Sequence, residues 1–315
     1  MNMTLSRIAE QGQNGAAMMP IIQGVARAAE EISALLRSAV FKDALGEAGA
    51  ENVQGEQQQK LDVLTDEIFY QEMRSTGFVC AVGSEEQEQL QLIEEYAGAD
   101  WLVLVDPLDG SSNLDINGPV GTIFSIVKRK SENSKKPVVE DCLQTGDEIA
   151  AAGYVLYGPA TLLVCSVGNG VEGYSVNPGT SRFELSHPDI KIPSTGGYYS
   201  VNQANSSSWL GDMEARLTSM KQQTGLGMRY VGSMVADMHR TLLKGGIFLY
   251  PADDKKPNGK LRLLYEAIPM GFLMEQAGGK AMCAEGRVLA LMPQALHQRT
   301  PVFLGAAAAV DSLLL

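Results

Sequence analysis

Trp-Leu-Val-Leu-Val, residues 101–105, is an uninterrupted apolar run that leads straight into two aspartates, Asp106 and Asp109. Five such residues bounded by turn signals read as a strand, and a strand apolar on both faces needs cover on both. Residues 78–82 have the same character and are also followed by acid, at Glu85 and Glu86. Parallel strands in one sheet would bring both acidic pairs to one rim, where ligands of α/β folds bind.

The rest of the chain supplies the cover. Between residues 20 and 41 the apolar positions Ile21, Val25, Ala28, Ile32, Leu35 and Ala39 recur at three- and four-residue steps behind Pro20, which suits a helix's first turn. A polar connector, 42–60, precedes a second helix expected over 61–75, ending at Gly77. Residues 121–176 change to β-rich segments broken by Gly-Pro and Asn-Gly signals, an antiparallel meander with a charged surface loop at 128–136. A helix over 233–244 stopped by Gly245 and Gly246, the strand Ile-Phe-Leu-Tyr, a helix after Pro269 and a strand at 302–304 complete a layered α/β or α+β architecture. No repeat interrupts it. A chain of 315 residues with 45% hydrophobic content has material for a large core without staples, and Cys80, Cys142, Cys165 and Cys283 have no disulfide or zinc spacing.

An isolated D-x-x-D-G after a strand is ordinarily a turn. Here four carboxylates would crowd one rim, a set that repels itself unless it is protonated or holds a cation. Oxygen-only ligands match magnesium or manganese rather than zinc. Gly110, Ser111 and Ser112 follow directly with backbone N–H groups and hydroxyls that could cradle a phosphate beside the metal. Phosphate monoesters need rate enhancements of up to ~10²¹-fold, which favours two or more ions over one. The net charge of −12 argues against nucleic-acid binding and requires local cations wherever a phosphate is bound. No stretch reaches the roughly eighteen apolar residues of a membrane span, and no signal pattern opens the chain, so a cytoplasmic protein is expected, an organellar one remaining open.

D-P-L-D-G-S-S-N at 106–113 resembles the signature of the class I fructose-1,6-bisphosphatase family, within the lithium-sensitive, magnesium-dependent sugar and inositol phosphatases. GSEE at 83–86, KLDVL at 60–64, YSVN at 199–202, RYVGSMVADMHRTL at 229–242, GGIFLYP at 245–251 and GKLRLLYE at 259–266 extend the likeness over most of the chain after residue 20. The resemblance implies an α-β-α-β-α sandwich, the sugar phosphatase fold, with an N-terminal regulatory (AMP-type) domain at 1–186 and a sugar-bisphosphate-binding domain at 187–315. It implies Mg²⁺, with Mn²⁺ as a substitute, held by Glu85, Glu86, Asp106, Asp109, Glu266 and the Leu108 carbonyl. Asp62 and Glu86 would orient and deprotonate the attacking water. Ser111 and the Gly110 amide would hold the phosphate that is hydrolysed. Asn202, Tyr230, Tyr250 and Lys260 would grip the other phosphate, Met234 and Lys260 would touch the sugar, and Arg262 would support the metal site. Arg229 would reach a neighbouring active site in a homotetramer. The implied activity is hydrolysis of the 1-phosphate of fructose 1,6-bisphosphate in gluconeogenesis. Sedoheptulose-1,7-bisphosphatase or inositol phosphatase activity on the same fold, or a silent sugar-phosphate sensor, are the alternatives.

Bland readings stand beside several of these. Glu266 could open a helix, Met234 could be core, and the tyrosines could be ordinary half-buried ones. His187, His239 and His297 have no spacing for catalysis. The chain also departs from the family pattern: Asn205 stands where a phosphate-binding tyrosine is expected, so that contact is weakened or supplied otherwise. Asp100 and Trp101 replace a lysine and tyrosine of the AMP site, leaving an AMP effector with no assignable residues.

Overall fold

Amphipathic periodicity sets the first layer. The structure, a computed structural model, describes residues 4–12, 14–39, 47–51 and 57–314. Helix α1 (Gly15–Ser38) begins five residues ahead of Pro20, which therefore lies inside it rather than in its first turn. The early start is carried by Gly15 N to Gln11 O at 3.0 Å and Met18 N to Asn14 O at 2.9 Å, and by the burial of Met18 and Met19, which extend the apolar face. Met18, Ile21, Ile22 and Ile32 are all fully buried, each contributing about 1.5–3 kcal/mol. The connector expected at 42–60 contains two strands, β1 (Glu47–Glu51) and β2 (Gln57–Gln59), paired antiparallel. Residues 42–46 and 52–56 of it, and 40–41 of the expected first helix, lie outside the described residues. Helix α2 (Lys60–Thr76) ends at Gly77, whose φ of 74° suits glycine.

The large sheet comprises β3 (Val79–Ser84), β4 (Gln91–Leu92), β5 (Trp101–Asp109), β6 (Val120–Lys128), β7 (Ala151–Tyr157), β8 (Thr161–Ser166), β9 (Glu172–Asn177) and β10 (Arg182–His187). Its order is β10-β9-β8-β7-β6-β5-β3-β4. The expected meander is the succession from β6 to β9, and β3 and β5, the two acid-ended runs, are parallel neighbours with Ser84 opposite Val105. Both acidic pairs therefore emerge at one rim.

The second half adds β11 (Tyr198–Ser200), α3 (Met213–Thr224), β12 (Gly227–Met228), α4 (Met234–Lys244), β13 (Gly246–Tyr250), β14 (Leu261–Arg262), α5 (Ile268–Gln276), β15 (Lys280–Cys283), β16 (Gly286–Arg287), β17 (Arg299–Thr300), β18 (Val302–Gly305) and α6 (Ala307–Leu314). Six strands form a smaller sheet, β12-β11-β13-β18-β15-β16. Helices α1 and α2 cover one face of the large sheet, α4 and α5 lie between the two sheets, and α6 covers the smaller sheet's outer face with α3 packed against it. This is the α-β-α-β-α sandwich. Gly121 permits the close seating of α4, since a Cβ there would stand 2.6 Å from Val235 Cγ1. The apolar cluster between the sheets runs from Cys80 to Leu313, so the halves share a core.

Candidate active site

Strand β5 does not stop before its aspartates. It continues through Asp106 and Asp109, pairing Asp106 with Ile123 and Asp109 with Gly121, so three steps on β5 face two on β6. Residues i and i+3 of a regular strand point to opposite faces, and the extra residue of this bulge returns Asp109 to the face of Asp106. Thr122 Oγ1 donates to Pro107 O at 2.8 Å and holds the bulge. Glu266 arrives from a single π turn, Leu263–Ala267, and its Oε2 accepts the Arg262 N–H at 2.5 Å. Asp106, Asp109 and Glu266 thereby each offer an oxygen within 4.8 Å of the others.

Helix α4 fixes one of these carboxylates. Asp109 Oδ2 accepts from Ser233 Oγ at 2.8 Å and Val235 N at 2.9 Å, and Oδ1 from Met234 N at 3.3 Å, so the acid lies against the helix's positive end. Gly110 has φ 76°, and a Cβ there would stand 2.6 Å from Ser233 Cβ, so only glycine lets the strand and the helix meet. Asp237, fully buried, accepts from the Val231 and Gly232 amides and from Arg240, which holds the loop before α4.

A cavity of about 440 Å³ opens over this cluster. One wall is acidic: Asp62, Glu85, Glu86, Asp106, Asp109 and Glu266. Desolvation, then the charges of Glu85, Asp109 and Glu266, push the Asp106 carboxyl well above its usual range. Desolvation and Glu85 raise Glu266 to about 8 against the pull of Arg262. Desolvation raises Asp109 to about 6 despite the Val235 and Ser233 donors. Arg262, only 3% exposed, offsets part of the charge through Nη2 to Glu85 Oε1 at 2.7 Å. A buried, oxygen-only, mutually repelling set fits a hard divalent cation, which would return these groups to their ionised forms. The same cavity is lined by Tyr230, Tyr250, Lys256 and Lys260, with Lys260 Nζ 5.9 Å from the Tyr250 ring centroid. Gly110, Ser111 and Ser112 also line it, and Ser111 Oγ donates to Asp62 Oδ2 at 3.4 Å.

Comparison with known proteins accounts for this arrangement. The family model described as "Fructose-1-6-bisphosphatase, N-terminal domain" matches residues 3–188, and the corresponding C-terminal domain matches residues 192–314. The chain belongs to the fructose-1,6-bisphosphatase family. A cytosolic fructose-1,6-bisphosphatase of Brassica napus is 49% identical over 83% of this chain and 78% of its own, and a class 1 enzyme of Persephonella marina is 44% identical over 93% and 90%. The crystal structure of Leishmania major fructose-1,6-bisphosphatase in holo form superposes with a TM-score of 0.93 at 39% identity, covering 100% of this chain and 98% of that one.

Within this bisphosphatase-family fold, Asp62, Glu85, Glu86, Asp106, Leu108, Asp109, Gly110, Ser111, Tyr230, Met234, Tyr250, Lys260, Arg262 and Glu266 all line the one cavity. Asn202 does not. It lines a small adjoining space with Asn205 and Trp209, bordered by Tyr250 of the cavity, and its Oδ1 accepts the Ala204 N–H. Arg229 is exposed, with its guanidinium 4.8 Å from the Tyr198 ring centroid. Sequence reasoning passed over Ser233, Asp237 and Lys256, which also line the cavity. The first was legible as a helix cap, although nothing local says that it also holds Asp109.

Proposed function

We propose that this protein hydrolyses the 1-phosphate of fructose 1,6-bisphosphate, giving fructose 6-phosphate and inorganic phosphate, a step of gluconeogenesis. The observation that carries the reading is the mixed lining of one cavity in a chain of this family: a cluster of carboxylates together with lysines and tyrosines. A substrate with a phosphate at each end has a counterpart for both.

Glu85, Glu86, Asp106, Asp109, Glu266 and the Leu108 carbonyl would hold the metal, which we take to be Mg²⁺ or Mn²⁺ in two or more copies. Bound there, such ions supply Lewis-acid stabilisation of phosphoryl oxygens and acidify water. Ser111 Oγ and the Gly110 N–H donate to the phosphate that is cleaved. Asp62, only 5% exposed and within hydrogen-bonding reach of Ser111, orients the attacking water beside that phosphate and, with Glu86, takes its proton. Arg262 keeps Glu85 in place and offsets its charge. Lys260, Tyr230 and Tyr250 hold the second phosphate, with Met234 against the sugar.

The remaining assignments rest on the family. Residues 1–186 form the regulatory half and 187–315 the sugar-binding half of each subunit of a homotetramer. Arg229 serves a neighbouring subunit's site, a reading supported by its exposure outside its own cavity. AMP is its candidate effector. The cytoplasm is its proposed location, since relatives are named cytosolic, and among the described residues no helix is long and apolar enough to cross a membrane. The test is phosphate release from fructose 1,6-bisphosphate with and without Mg²⁺, with the product identified. One phosphate per substrate and fructose 6-phosphate are expected. Release of the 6-phosphate instead, or none, contradicts the reading.

A further inference from the structure

The lining of the cavity contains a cation, Lys256, outside every motif on which the family likeness rests. Of the described residues lining the cavity, three are basic, Lys256, Lys260 and Arg262. Arg262 is buried and committed to Glu85 at 2.7 Å, at the acidic wall. Lys256 and Lys260 are the other two, and both border Tyr250 in the lining of the cavity.

Lys256 is presented there by a short, tightly bonded turn. Asp253 Oδ1 accepts the N–H groups of Lys255 at 2.9 Å and Lys256 at 2.8 Å, a side-chain cap on a turn. The Lys256 carbonyl accepts the Gly259 N–H at 2.9 Å, and Asp253 pairs in a bridge with Trp209. Both lysines border a shallow surface depression, but only one of them also reaches the cavity. Lys255 is exposed and absent from the cavity, whereas Lys256 is half-buried and lines it beside Lys260 and Tyr250. Asn205 lies in an adjoining small space with Asn202, bordered by Tyr250 and by Asp253, the residue that caps the Lys256 turn.

We propose that Lys256 binds the non-hydrolysed phosphate of the sugar bisphosphate together with Lys260, and so contributes to selecting bisphosphates. The assignment rests on the phosphatase reading above. A point charge on a flexible stem suits a phosphate already positioned by neighbouring hydroxyls, and in an acidic protein it raises the local concentration of an anionic substrate.

The experiment compares the intact protein with Lys256→Met, Lys256→Arg and Lys255→Met in steady-state hydrolysis of fructose 1,6-bisphosphate, with Mn²⁺ affinity measured in parallel. Lys256→Met is expected to raise KM about fivefold to tenfold while kcat changes less than about twofold, Lys256→Arg to restore most of the difference, and Lys255→Met to have no effect. Mn²⁺ affinity should be the same in all four proteins, which separates loss of a phosphate contact from damage to the acidic wall. A KM unmoved by Lys256→Met, or moved as far by Lys255→Met, overturns the assignment while the phosphatase reading stands. Wild-type protein that hydrolyses no fructose 1,6-bisphosphate overturns that reading, and this inference with it.

Discussion

Ser233 donates its hydroxyl to Asp109 Oδ2 at 2.8 Å across 124 residues of sequence. The same oxygen caps α4, accepting the Ala236 N–H at 3.4 Å, so one fully buried side chain ties the bulged strand to the helix. Ser233→Ala removes both bonds and leaves Asp109 held by the Val235 and Met234 N–H groups alone. The expected cost is about 1–2 kcal/mol of stability, read by urea denaturation, together with weaker Mn²⁺ binding. Loss of stability without any change in Mn²⁺ affinity would reduce Ser233 to a helix cap.

Asp109→Asn keeps an acceptor for Ser233 and Val235 but removes one negative charge from the metal wall. Turnover of fructose 1,6-bisphosphate should fall about a hundredfold or more, with the melting temperature within about 4 °C of wild type. Near-normal turnover in this variant would remove Asp109 from the metal site.

Protons and cations compete for the acidic wall. The raised carboxyls of Asp109, about 6, and Glu266, about 8, bind more protons in the fold than in the unfolded chain. Stability contributed by these groups is therefore present at low pH and lost as pH rises through those values in metal-free protein. A cation that ionises the raised Asp106, Asp109 and Glu266 carboxyls displaces the protons they hold, so binding of Mn²⁺ should release protons at pH 7, and affinity should fall from pH 8 to pH 6. Titration calorimetry in buffers of different ionisation enthalpy measures the release directly. Binding with no proton release contradicts the electrostatics described above.

Arg229 stands outside its own cavity, over Tyr198. If it serves a neighbouring subunit, Arg229→Ala should raise KM for the bisphosphate about tenfold with kcat little changed, in protein whose oligomeric state is checked by light scattering. An unchanged KM would leave Arg229 without a role in substrate binding.

Much of this was legible because local chemistry and global placement agree. Two all-apolar runs ending in acid could be buried only side by side, and Gly245 and Gly246 stop α4 where expected. What was hidden depends on contacts distant in sequence. The bulge at Pro107–Leu108 cannot be inferred from alternation, since Trp101–Val105 is apolar throughout and gives no phase to break. Helix α3 carries too weak an apolar stripe to be seen, with only Leu217 and Met220 buried. Pro20 sits inside α1 because the turn before it is closed by Gln11 and Asn14 carbonyls. Asn202, in the expected motif, lines a small space that shares Tyr250 with the cavity, while Lys256, in no motif, lines the cavity itself.

The central claim is that distant carboxylates converge to clamp divalent ions beside a phosphate cradle. Anomalous diffraction from crystals soaked in Mn²⁺ tests it most directly. The account predicts manganese peaks bonded to oxygens of Asp106, Asp109 and Glu266, lost in Asp109→Asn crystals together with turnover. Manganese bound elsewhere, with these oxygens uncoordinated in active protein, would contradict it.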